Sequence, residues 1–93
     1  MPYVYIIECR DGTLYTGYAV DIVKRLDEHN KGEGAKYTRG RRPVRLRYIE
    51  TCPDKSTAMR REYAIKRLSR RGKQALIQSV SLLNRVLDIN KFG

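Results

Sequence analysis

Ninety-three residues can bury one modest core, which excludes a second folded unit large enough to stand beside it. At 41% hydrophobic with seven tyrosines the chain should fold, and 20 Lys plus Arg against 10 Asp plus Glu leave a formal charge of +10 that points to a polyanionic partner, nucleic acid first. No window approaches the roughly 18 apolar residues of a membrane span and Met1-Pro2-Tyr3 opens no leader pattern, so a cytoplasmic protein with no membrane attachment is expected.

Residues 3–9, Tyr-Val-Tyr-Ile-Ile-Glu-Cys, are β-branched and aromatic, and Arg10-Asp11-Gly12-Thr13 is a tight-turn signal before Leu14-Tyr15-Thr16-Gly17-Tyr18. Together they predict a β-hairpin. A two-residue Asp-Gly loop would put Tyr5 and Tyr15 on opposite faces. A three-residue loop ending in a left-handed Gly12 would pair residue 9 with 13 and place both on one face, and the letters do not choose. Asp21 predicts the N-cap of a helix over 22–30, with Ile22, Val23, Leu26 and Asn30 on one side and Arg25 and His29 on a neighbouring one. Lys31-Gly32-Glu33-Gly34 ends it, and 35–43 is expected to be an exposed basic loop around Tyr37.

Residues 44–51 alternate as a third strand, with Val44, Leu46 and Tyr48 inward and Arg45 and Arg47 outward. From about Ser56 to Leu68 the pattern is helical, with Ala58, Met59, Ile65 and Leu68 as core contacts and Glu62 and Lys66 on the polar side. Ser69 to Gly72 should break that helix, and Lys73 should begin another whose Leu76, Ile77 and Val80 close the core. The fold class expected is α+β, a small three-stranded antiparallel sheet flanked by helices in the order β-β-α-β-α-α. One domain would span 1–93, its motif-bearing part over 3–80 and a short helical tail over 81–93. Cys9 and Cys52, far apart and without histidines at ligand spacing, read as buried unpaired thiols in a reducing compartment.

The chain contains no phosphate-binding glycine loop, no Cys-x-x-Cys and no histidine cluster, so nucleotide-cofactor and structural-zinc chemistry lack their ligands. Hydrolysing a phosphodiester needs a group to activate water, a positive group for the charge that builds on phosphorus oxygens, and usually an oxygen ligand for a divalent cation. Tyr5 or Tyr15, Arg25, and Glu62 could fill these roles. Each has an ordinary competitor: strand packing for the tyrosines, a solvated charge for Arg25, a surface helix position for His29 and a salt bridge to Lys66 for Glu62.

Tyr3-Val4-Tyr5, nine residues, then Tyr15-Thr16-Gly17, followed by Arg25, His29 and Glu62, resembles the GIY-YIG family. Arg-Glu-Tyr-Ala-Ile-Lys at 61–66 resembles its small free-standing bacterial members. The likeness covers 3–68 and extends toward 80. Tyr3 stands where the first triplet has glycine and Thr16 where the second has isoleucine. Gly17 is kept, as expected if the backbone must leave room for the following helix or a phosphate. The resemblance implies a DNA endonuclease of repair or processing that uses Mg²⁺ or Mn²⁺, one ion held weakly without substrate. It also implies Tyr5, Tyr15, Arg25, His29 and Glu62 as catalytic residues and Glu62 as the metal ligand.

The alternative is a non-catalytic DNA- or RNA-binding module on the same fold. Lys36, Arg39, Arg41, Arg42, Arg45, Arg47 and Lys66 would hold the nucleic-acid backbone, DNA rather than RNA, with Arg60, Arg61, Arg67, Arg70 and Arg71 adding charge. Nothing outside the domain supplies base readout, so a protein partner is an expected source of targeting.

Overall fold

A computed structural model of the chain describes residues 1–79. Strands β1 (Tyr3–Glu8), β2 (Leu14–Ala19) and β3 (Arg45–Thr51) form one antiparallel sheet in the order β2-β1-β3. Helices α1 (Ile22–Asn30), α2 (Lys36–Arg39), α3 (Lys55–Lys66) and α4 (Arg70–Ser79) complete it. The expected α+β class and antiparallel sheet hold, with α2 as an addition. The final helix expected over 82–89, and Val80, lie outside the described residues.

Central β1 is covered on both faces, which is why its letters run apolar without alternating: Val4, Tyr5, Ile6 and Ile7 are all buried. Tyr5, Ile7, Cys9, Val44 and Leu46 join Ile22 and Leu26 of α1 on one face. Val4, Ile6, Tyr48 and Cys52 join Ala58 and Ile65 of α3 and Ile77 of α4 on the other. Cys9 and Cys52 are buried and unpaired in these opposite layers.

The hairpin takes the three-residue loop. The Cys9 amide donates to the Thr13 carbonyl (2.9 Å), the Gly12 amide donates to the Cys9 carbonyl (2.9 Å), and Gly12 sits at φ +85°. Asp11 fixes the turn by accepting from the Thr13 amide and hydroxyl. Tyr5 therefore faces Gly17 and Ile7 faces Tyr15, so both tyrosines project from the same face. The clearance at Gly17 serves the Tyr5 ring rather than the helix or a phosphate, because a Cβ there would lie 2.4 Å from the Tyr5 hydroxyl and 2.6 Å from Cζ. Gly17→Ala is expected to destabilise the fold by about 1–3 kcal/mol through overpacking, read as a lower urea midpoint at unchanged m-value. An unshifted midpoint would show that the ring can move aside.

Several packing expectations change. In β3 the register skips a residue between Ile6↔Tyr48 and Ile7↔Leu46, leaving Arg47 as a bulge. Leu46 thus packs in the Tyr5 layer and Tyr48 in the opposite one, where plain alternation would have kept them together. The basic segment is also less irregular than expected. Lys36–Arg39 forms one helical turn, anchored by Thr38, whose hydroxyl donates to the Ala35 carbonyl (3.0 Å) and which is itself buried.

Val23, Met59 and Leu68, expected in the core, are exposed. Asp54 caps α3 by accepting from the Thr57 amide, and Leu68 falls beyond the helix end. Helix α4 starts at Arg70, not Lys73, because Ser69 Oγ accepts from the Gly72 amide, so Gly72 lies inside the helix instead of breaking it. Among the described residues no helix is long and apolar enough to cross a membrane.

Candidate active site

Helix α1 is set by Asp21, whose carboxylate accepts from the Lys24 amide (3.0 Å), and it is stopped by Gly32 at φ +81°. With Ile22 and Leu26 against the sheet, the i+3 position turns His29 inward to full burial. There the Tyr5 hydroxyl lies 2.9 Å from His29 Nε2, and Thr38 Oγ1 lies 2.8 Å from His29 Nδ1. Because the Thr38 hydroxyl donates onward to the Ala35 carbonyl, it accepts from Nδ1–H, which leaves Nε2 as the acceptor for the Tyr5 proton. The chain Tyr5–His29–Thr38–Ala35 is thus directed and fully satisfied. Burial, reinforced by the Arg25 charge, pushes His29 down to about 4, so it is a neutral imidazole.

Burial also raises the Tyr5 hydroxyl to about 12, although neighbouring Arg25 opposes the shift; Tyr15 and Glu62 add to it. The Tyr5 and Tyr15 rings both meet the His29 ring edge-on, and with Arg25 beside the Tyr5 hydroxyl these four residues gather at one corner of the molecule. The Tyr15 ring meets His29 edge-on at 5.6 Å and stacks on Tyr37 at 5.8 Å. Its hydroxyl has no hydrogen-bond partner among the described residues. Arg25 is held by Glu28 (3.2 Å) and opens on a cleft of about 330 Å³ bordered by Tyr18, Asp21, Lys24 and Glu28.

Glu62 comes from α3, which packs on the sheet face opposite Tyr5 and Tyr15, and it has no hydrogen bond or ion pair to Tyr5, Tyr15 or Arg25 among the described residues. It lies four residues after Ala58 and three before Ile65, on the sheet-facing stripe, and its side chain is 15% exposed. The expectation of a polar-side position was therefore wrong, although the pairing with Lys66 is present at a long 3.7 Å. Among the described residues no group of three or more His, Cys, Asp or Glu side chains gathers as a metal site.

Two supporting residues carried no motif. Thr38 fixes the His29 tautomer, and Gly34 lets the backbone pass over the imidazole, since a Cβ there would be 2.4 Å from Nδ1. Gly34 had the sequence signature of a helix stop, but only Gly32 takes the left-handed conformation.

The expected backbone contacts divide into two sets. Arg41 pairs with Asp11 (3.0 Å) and lies over the Tyr37 ring at 4.3 Å, Arg47 pairs with Glu8, and Lys66 faces Glu62. Lys36, Arg39, Arg42 and Arg45 are exposed and have no ion pair among the described residues.

Residues 1–75 match the GIY-YIG catalytic domain. The chain belongs to the GIY-YIG family. It is 63% identical over 76 residues to a UPF0213 protein of Halobacterium salinarum, covering 82% of this chain and 99% of that one. It is 59% identical to a UPF0213 protein of Staphylococcus saprophyticus, covering 81% and 92%. The solution structure of a UPF0213 protein from Bacillus halodurans is similar at a TM-score of 0.54 and 53% identity, covering 84% of each chain. A solution structure from E. faecalis is similar at 0.58 and 42%, covering 83% of this chain and 82% of that one. Tyr37 and Thr38 of α2 touch Tyr15 and His29, so the exposed Lys36 and Arg39 of the same helical turn adjoin the tyrosine corner.

Proposed function

We propose that this GIY-YIG chain binds the nucleic-acid backbone along the side of the molecule that carries α2 and the start of β3. The observation that carries this reading is that Lys36, Arg39, Arg42 and Arg45 have no ion pair among the described residues, in a chain of net charge +10. Such cations displace counterions from phosphates and give affinity without choosing a sequence. Preference for DNA over RNA rests on the family resemblance.

A second reading, metal-dependent hydrolysis of the bound phosphodiester in DNA processing or repair, draws support from Tyr5, Tyr15, His29 and Arg25 gathering at the tyrosine corner. The Arg25 guanidinium can engage two phosphate oxygens at once and offset the charge that develops there. Tyr15, with its hydroxyl uncommitted, would take a proton from attacking water as the phenolate, a form that a neighbouring cation favours over the phenol. Tyr5 keeps its proton in the bond to His29, so Tyr5, His29 and Thr38 act by positioning.

Glu62 would hold Mg²⁺ or Mn²⁺. Its mostly buried carboxylate and distant Lys66 partner fit a hard cation that keeps several waters and takes substrate oxygens. Such an ion supplies Lewis-acid neutralisation of phosphoryl charge.

The test is a panel of single-stranded, duplex and branched DNA and RNA, with and without Mg²⁺ or Mn²⁺, comparing the intact chain with Glu62→Gln. Retardation of nucleic acid by both proteins is expected under the binding reading. Product that needs metal and vanishes in the variant is expected under the hydrolytic one. Metal-independent or unchanged cleavage by Glu62→Gln would remove Glu62 from that chemistry, and failure to retard any substrate would overturn the binding claim.

A further inference from the structure

A second cation-lined hollow shares no bordering residue with the cleft at Arg25. It measures about 470 Å³ and is bordered by Arg10, Asn30, Arg39, Gly40, Arg42 and Pro43. Three arginines from three segments of the chain border it, and no carboxylate does. Arg10 comes from the hairpin loop, Arg39 from the end of α2, and Arg42 from the link to β3.

Its walls are fixed by the fold. The Arg10 amide donates to the Arg41 carbonyl (2.9 Å), tying the hairpin loop to the α2–β3 link. Arg42 Nε donates to the Arg39 carbonyl (2.8 Å), and Asn30 Oδ1 accepts from the Val44 amide (2.8 Å). The carboxylate that bridges these loops, Asp11, pairs with Arg41, which does not border the hollow. The Arg10 and Arg39 guanidiniums have no side-chain partner among the described residues. Like charges gathered around one concavity repel one another and focus a positive potential there, an arrangement that an entering anion relieves.

We infer that this hollow is a phosphate subsite, filled by a backbone phosphate of the nucleic acid other than the one facing Arg25. The inference rests on the binding reading above. Asn30 lies five residues beyond Arg25 on α1, about 7.5 Å along the helix axis and about 140° around it, so one phosphate cannot serve both places. The substrate is thereby held at two points on opposite flanks of α1, which sets its direction across the molecule. Arg10, absent from the motif and from the basic stretch 36–47, becomes a binding residue.

The experiment measures duplex DNA affinity across a salt series, without divalent metal, for the intact chain, for Arg10→Gln/Arg39→Gln, and for the charge-matched control Lys31→Gln/Lys55→Gln. A parallel arm titrates inorganic phosphate and follows the Arg10 and Arg39 side-chain resonances. The expected result is a log–log salt slope shallower by about two in the arginine pair, with the control close to the intact chain. An unchanged slope, or an equal change in the control, overturns the backbone subsite. If phosphate moves both resonances while the pair leaves duplex affinity intact, the hollow takes free phosphate and the backbone assignment is wrong. If the intact chain binds no duplex, the functional reading fails with it, and the phosphate arm alone then decides whether the hollow binds anions.

Discussion

Under the proposed hydrolytic activity, Tyr15→Phe is expected to lower metal-dependent cleavage by about 10²–10⁴-fold, the range of a lost general base, while leaving duplex affinity and the urea midpoint close to those of the intact chain. The expectation follows from how the two tyrosines are committed. Tyr5 is 1% exposed, held at about 12, and donates to an imidazole held at about 4. Moving its proton to His29 is steeply uphill, so Tyr5 is a poor proton acceptor and a good anchor. Tyr15 lies on the same face with its hydroxyl unbonded among the described residues. Tyr5→Phe should therefore behave differently, costing about 1–3 kcal/mol by leaving His29 Nε2 buried without a partner. Equal cleavage by Tyr15→Phe and the intact chain would remove Tyr15 from the chemistry.

The second large effect is acid destabilisation through His29. Its folded-state value of about 4 lies below the ordinary 6.5, so between these pH values the unfolded chain binds more protons than the folded one. The sign follows: the contribution of neutral His29 is present above pH 6.5 and is lost as pH falls through the window toward 4. The loss amounts to about 3 kcal/mol for a fully buried group. Urea unfolding across that range should show it, and His29→Gln should flatten the profile. Asp11 and Asp54 are both held below the usual carboxylate value, so their contributions fade at lower pH and do not mimic this one. Thr38→Val should lower stability at neutral pH by about 1–3 kcal/mol through the orphaned Nδ1–H. A pH-independent midpoint in the intact chain would contradict the neutral buried imidazole.

Much of this was legible from local patterns. The hairpin, the Asp21 cap and the positions of Tyr5, Arg25 and His29 on their elements follow from turn chemistry and periodicity. Which face Tyr15 occupies depended on a loop of two or three residues, a difference that Asp11 and Gly12 settle only once the strands pair. Glu62 could have been read better. The spacing Ala58, Glu62, Ile65 puts the carboxylate in an apolar stripe, but Met59 and Leu68 outweighed it as apparent core residues.

Other features had no one-dimensional signal. The Arg47 bulge exists to let Leu46 and Tyr48 serve opposite layers. Thr38 and Gly34 matter only because the chain folds back over His29. Arg10 joins the basic hollow through a backbone bond to Arg41, thirty-one positions away.

The salt dependence of duplex binding tests the account most directly. With Lys36, Arg39, Arg42 and Arg45 engaging phosphates, log affinity should fall linearly with log salt at a slope of roughly −3 to −4, and somewhat more steeply as Arg10 joins them. Affinity that stays constant across the series would contradict a protein that holds nucleic acid by its backbone.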